Sequence, residues 1–95
     1  MQIRFYIDPE TGRPHVENHG VTVDECVQVL GNASQDFPGV NGARIAYGAT
    51  NAGRLLKVIY RLDDDGDGLF VITAYPLRGK EQKAYRRRKR GRARE

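Results

Sequence analysis

Two histidines four residues apart, a run of aspartates, one cysteine and a basic end are where this chain's residue types and spacing bear on chemistry. His15 and His19 would share one face of a helix, a spacing that can seat a metal. Residue 16 is Val rather than Glu and no third ligand is evident, so no metal site is expected. An imidazole also offers general acid–base chemistry near neutral pH. His19, just ahead of Gly20 at a helix-ending turn, is the stronger candidate for that role. In Asp63-Asp64-Asp65-Gly66-Asp67-Gly68, aspartates and a glycine fall where a calcium loop has them. The closing Glu of such a loop is Ala74 here, and the following residues read as strand, so an exposed acidic hairpin turn is expected. Cys26 sits among Val23, Val27 and Leu30 and reads as a small buried hydrophobe. A lone cysteine makes neither an intramolecular disulfide nor a zinc site, which suits a reduced, cytoplasmic setting. No cofactor is implied.

The basic end is the strongest signal. From Arg78 to Glu95 the chain carries ten Lys or Arg against Glu81 and Glu95. The preceding 77 residues carry six basic and ten acidic side chains, so a net +4 divides into +8 on the end and −4 on the body. A block of like charge repels itself and binds matter of opposite sign. RNA, DNA, an acidic protein segment or an anionic membrane would answer this split, with Lys57, Lys80, Lys83, Arg86, Arg87, Arg88, Lys89 and Arg90 as the candidate contacts to a nucleic acid. No segment approaches the ~20 apolar residues of a membrane span, and no signal peptide or lipidation motif is present, so no membrane partner is expected.

These residues need a scaffold, and 95 residues allow one small domain with a thin core. Ile3, Phe5 and Ile7 alternate with Arg4 and Tyr6, which predicts a strand ended by Asp8-Pro9. Residues 13–19 predict a short helix stopped by Gly20. Thr22 and Glu25 form a capping box ahead of Cys26, Val27 and Leu30, predicting a second helix that ends near Gly31. Asn32–Gly42 reads as loop. Strands follow at about 43–50, 54–62 and 69–75, joined by short turns that force antiparallel pairing. Pro76 closes the last strand, and Gly79 to about Arg90 reads as a helix.

The expected fold is α+β, with order β-α-α-β-β-β-α, an antiparallel sheet and the helices on one face. Residues 1–88 would form the domain and 89–95 a basic tail, mobile without a partner. Parity places Leu56, Val58, Tyr60 and Leu62 on one face of their strand. It groups Phe70, Ile72 and Ala74 against Leu69, Val71, Thr73 and Tyr75. The face away from the core would be partly open and rimmed by cations, a bed for a nucleic-acid strand.

Three blocks resemble the BrnT family of bacterial toxins, relatives of RelE-type ribonucleases. They are His19-Gly20-Val21-Thr22, the hairpin from Gly48 to Tyr60 with Arg44 at the start of its incoming strand, and Ile72-Thr73-Ala74-Tyr75 followed by Glu81 and Tyr85. The resemblance implies a compact α+β fold, RNA cleavage that arrests translation, and neutralisation by a cognate antitoxin protein. It also implies promoter DNA bound through the antitoxin complex, and an RNA surface lined by Arg44, Arg54 and the helix around Tyr85. Tyr75 stands where the family has an arginine, and Arg78 lies close enough in sequence to replace it.

The resulting expectation is the toxin-like component of a toxin–antitoxin pair, a metal-independent endoribonuclease. Arg54 and Arg78 would steady the phosphate while His19 and Tyr75 move protons. Two other classes fit the same charge division: a non-catalytic nucleic-acid-binding module, and a protein-interaction domain whose basic tail takes an acidic partner.

Overall fold

The structure, a computed structural model, describes residues 2–93, with side chains through Arg90. It is an α+β domain built on five strands: β1 (Gln2–Phe5), β2 (Gln35–Pro38), β3 (Arg44–Ala49), β4 (Leu55–Leu62) and β5 (Gly68–Pro76). A 3-10 helix covers His15–His19, α1 covers Val23–Gly31, a 3-10 turn covers Val40–Gly42, and α2 covers Gly79–Ala93. The sheet order is β1-β5-β4-β3-β2.

Local chemistry accounts for most of these elements. Thr22 accepts from the Glu25 amide, and the Glu25 carboxylate accepts from the Thr22 amide, so both halves of the capping box are formed. Gly20 takes φ +74°, a left-handed turn that a residue with a Cβ adopts at a cost, and so ends the 3-10 helix directly after His19. Asn51–Gly53 and Asp63–Gly68 make the two antiparallel hairpins that short turn-rich links require. The aspartate run is therefore a hairpin turn leading into β5, with Gly66 at φ +75°.

Four features depart from expectation. First, Gln35–Pro38 is strand rather than loop, paired with β3 at one sheet edge. Its Asp and Pro mask strand propensity, which an edge position tolerates. Second, the sheet is mixed: β1 runs parallel to β5, with Ile3 opposite Leu69 and Phe5 opposite Val71. Third, β5 carries a bulge. Ile59 pairs with Thr73 but Tyr60 pairs with Val71, leaving Ile72 as the extra residue. The bulge shifts parity, so Ala74 rather than Thr73 continues the core face of Leu69 and Val71. Fourth, the helices lie on opposite faces. Val29 of α1 packs at Gly48 of β3, whereas Arg88 of α2 stacks on the adjacent Tyr47, whose side chain alternates to the other side.

The core lies under α1. Leu56, Val58, Val71, Ala74, Ala46, Val29, Cys26, Val21 and Val16 are fully or almost fully buried, and Ile3, Phe5 and Leu30 pack around them. Each large apolar side chain so buried contributes about 1.5–3 kcal/mol. Leu62 shares this side by alternation yet is 51% exposed, six residues along β4 from the Leu56–Gly48 pair where α1 packs. Burial pushes the Cys26 thiol up to about 12, so it behaves as the expected hydrophobe.

α2 is made of strong helix formers, Lys, Arg, Gln and Ala, but has little apolar surface. Leu77 and Tyr85 anchor it, both nearly fully buried. The Tyr85 hydroxyl lies 2.7 Å from Ser34 Oγ, and the Gln35 side chain donates to the Tyr85 carbonyl. The helix runs unbroken past Lys89 to Ala93. Arg94 and Glu95, the end of the expected tail, lie outside the described residues. Among the described residues, no helix is long and apolar enough to cross a membrane.

Candidate active-site cleft

An open cleft of about 540 Å³ lies where the 3-10 helix, β4, β5 and the start of α2 converge. Its walls are Asn18, His19, Lys57, Tyr75, Pro76, Arg78 and Glu81. The bulge at Ile72 is what brings Tyr75 here. Without the extra residue Tyr75 would follow Val71 onto the core face; with it, Tyr75 pairs across from Lys57 on the face away from α1.

His19 lies against Tyr75 with ring centroids 4.3 Å apart and planes at 46°. The ring of His15 meets His19 edge-on at 5.2 Å, and Tyr6 packs on His15 at 5.9 Å, giving a row of four rings ending in the cleft. His19 Nε2 is buried and has no hydrogen-bond partner within the protein. A buried polar nitrogen left unpaired is costly and uncommon. His15 is differently occupied. Its Nδ1 lies 3.4 Å from Asp8 Oδ2 and 3.3 Å from the Asn18 amide, which itself donates to Asp8 at 2.6 Å. The Glu10 backbone amide and then the Asn18 side chain hold the Asp8 carboxyl below its ordinary range. This clasp orients Asn18 on the cleft wall. Among the described residues, no three His, Cys, Asp or Glu side chains gather as a metal site.

Two cations enter the cleft from different elements. Lys57 Nζ bonds Glu81 Oε2 at 2.7 Å and lies 5.5 Å from the centre of the Tyr75 ring. Arg78, just after β5, is exposed at the mouth. The arrangement joins a proton acceptor, a phenol and two positive groups around an open space. It can bind an anion and move a proton beside it.

His19, Tyr75 and Arg78, the expected catalytic residues apart from Arg54, thus line one cleft together with Lys57. Arg54 lines no part of it. Its Nη1 donates to the Gly20 carbonyl at 2.8 Å and to both Glu25 oxygens at 3.0 and 3.1 Å. Chiefly the Thr22 amide, and then Arg54, hold the Glu25 carboxyl below its ordinary range. Arg54 fastens the start of α1 to the start of β4.

The expected nucleic-acid residues also divide. Lys80, Lys83, Arg86, Arg87, Lys89 and Arg90 are exposed on α2, with Lys80, Lys83, Arg87 and Arg90 recurring along one stripe. Arg44 is paired with Asp36 at 3.1 Å. Arg88 donates to Gln35 Oε1 at 2.5 Å and stacks over Phe37 and Tyr47 at 5.3 and 5.2 Å. Tyr85 is 2% exposed, so it holds the helix down instead of meeting a ligand. Asn18 and Glu81 were not expected in the site. Asn18 is signalled only by its place next to His19, and Glu81 by its place in the third block and its isolation among cations.

No family model, curated protein or solved structure gives a significant match to this chain.

Proposed function

We propose that this protein is the toxin-like partner of a toxin–antitoxin pair and cleaves RNA without needing a metal. The carrying observation is the His19 ring, packed on Tyr75 and lining, with Arg78, one open cleft. The stripe of cations on α2 leads away from that cleft and suits a phosphodiester backbone. The three blocks that resemble BrnT proteins support the same reading and one of them supplies His19, whereas Tyr75 stands where that family has an arginine.

In this reading His19 takes the proton of a ribose 2′-hydroxyl. The freed oxygen attacks the adjacent phosphorus, and the P–O5′ bond breaks to leave a 2′,3′-cyclic phosphate. The Tyr75 hydroxyl gives a proton to the departing 5′-oxygen. Arg78, with Lys57, steadies the charge that builds on the phosphate, taking the role expected of Arg54. A cytoplasmic site of action, a cognate antitoxin, and promoter DNA bound through that complex belong to the same proposal.

A non-catalytic RNA-binding module is the second reading. It is favoured by the pairing of Lys57 with Glu81, which offsets one of the two cations the chemistry would use. Incubation with RNA in EDTA decides between them. Fragments ending in cyclic phosphate support the enzyme; bound but intact RNA, with and without ribosomes, leaves the module.

A further inference from the structure

A second groove, about 650 Å³, runs between strand β2 and helix α2 on the far side of the molecule from β1. Ser34, Gln35, Asp36 and Phe37 form one wall, Arg88 and Gly91 the other. Three observations single it out. β2 is an edge strand, so its outer side offers backbone donors and acceptors with no neighbouring strand. Phe37 is 39% exposed beside it. Gly91 stands within α2, although a side chain there would meet nothing within 4 Å and its backbone is helical. Glycine is the poorest residue for a helix short of proline, and nothing in the fold requires it at 91. With no side chain, it leaves the groove wall open at this point.

Charge indicates whose backbone. Arg87 is one turn from Gly91, and Lys83 and Arg90 lie one turn or less from Arg87, all exposed. The Asp36 carboxylate on the opposite wall is already engaged by Tyr60 and Arg44. We infer that this groove takes an extended acidic peptide of a partner protein, which adds to β2 as a sixth strand and sets its carboxylates against the cations of α2. The inference stands on β2 and Gly91 and does not depend on RNA cleavage.

The test uses the full chain and a labelled, acetylated peptide alternating Val and Glu. Saturable binding in dilute salt is expected, with slowed amide exchange at residues 35–37. A Cβ at 91 meets nothing within 4 Å, so Gly91→Leu, which puts a bulky side chain on the groove wall, should keep or raise the melting temperature and weaken binding by about tenfold or more. Phe37→Ser should weaken it as well. The inference is overturned if the peptide does not bind, or if its Val–Lys counterpart binds as well. Binding unchanged by Gly91→Leu, or binding that leaves residues 35–37 unprotected, overturns it too. So does protection of those amides by an oligoribonucleotide, or by self-association of the chain without peptide.

Discussion

The imidazole of His19 and the phenol of Tyr75 lie 4.3 Å apart, brought together by the left-handed turn at Gly20 and the bulge at Ile72. Neither device is next to the other in sequence, and each re-aims one ring into the same cleft. His19→Ala should lower RNA cleavage by roughly 10²–10⁴-fold while RNA affinity stays within a few-fold, because α2 supplies most of the charge. Tyr75→Phe keeps the stacked ring and removes only the hydroxyl. Comparable loss in that variant marks Tyr75 as the proton donor; full activity restricts it to packing against His19. Gel analysis of fragments, alongside anisotropy of uncut RNA, measures both.

Arg54 and Glu25 give the clearest separation of stability from catalysis. Arg54→Ala should destabilise the fold by about 1 kcal/mol, a modest figure because the pair is partly exposed to solvent. Cleavage per folded molecule should be unchanged. The same contact predicts an acid limb. The folded Glu25 carboxyl titrates below its ordinary value of 4.5, so its contribution is complete above that value and is lost as pH falls through the lower folded pKa. Thr22→Ala, which removes the hydroxyl half of the capping box, should cost about 1 kcal/mol. Denaturant melts between pH 7 and pH 3 should show the wild-type advantage over Arg54→Ala shrinking toward acid.

What could be read from the sequence was local. The Thr22–Glu25 box, the Gly20 stop, the two hairpins and the Lys80–Lys83–Arg87–Arg90 stripe depend on neighbours within a few residues. What could not be read depends on distant partners. β2 is a strand because β3 receives it, although Asp36 and Pro38 weaken its own preference. β1 pairs in parallel with a strand more than sixty residues away. Tyr85 and Arg88 look like surface cation-helix residues until Ser34 and Gln35, about fifty positions earlier, are placed beneath them. The Ile72 bulge leaves no mark in the alternation, so Tyr75 was grouped with Val71 although it points the opposite way. His19, Tyr75 and Arg78 could be singled out by residue type, and the structure sets them on one cleft; that Arg54 is bound to Glu25 could not be read, since a paired and an unpaired arginine look alike in sequence.

Exposed cations on α2 predict a graded salt response. Lys83→Ala, Arg87→Ala and Arg90→Ala together remove three positive charges that carry no buried contact. Single-stranded RNA loses about 0.7 in its logarithmic salt slope for each phosphate contact removed, so the triple variant should be shallower by about 2. Arg88→Ala should behave differently. Its guanidinium is committed to Gln35, Phe37 and Tyr47, so the slope should hold while the melting temperature drops. Binding titrations at several salt concentrations, paired with thermal melts, distinguish these outcomes.

Tyr60 ties the core face to the β2 edge, donating its hydroxyl to Asp36 Oδ2 at 2.6 Å, while Arg44 donates to the other oxygen at 3.1 Å. Burial first, and then the Asp36 carboxylate, push the phenol above its ordinary value of 10. A folded pKa raised in this way contributes stability that is complete below the unfolded value. It disappears as pH rises from about 10 through the higher folded pKa. Tyr60→Phe keeps the buried ring and removes only the hydrogen bond to a charged acceptor, so it should cost about 1.5–3 kcal/mol at neutral pH. That cost should diminish in alkali, where the wild-type phenol loses its own advantage. Because Asp36 holds β2 against β3, the variant should also speed amide exchange at residues 35–37 before the rest of the sheet opens. Equal exchange across β2 and β4 would instead mean that Tyr60 stabilises the sheet as a whole.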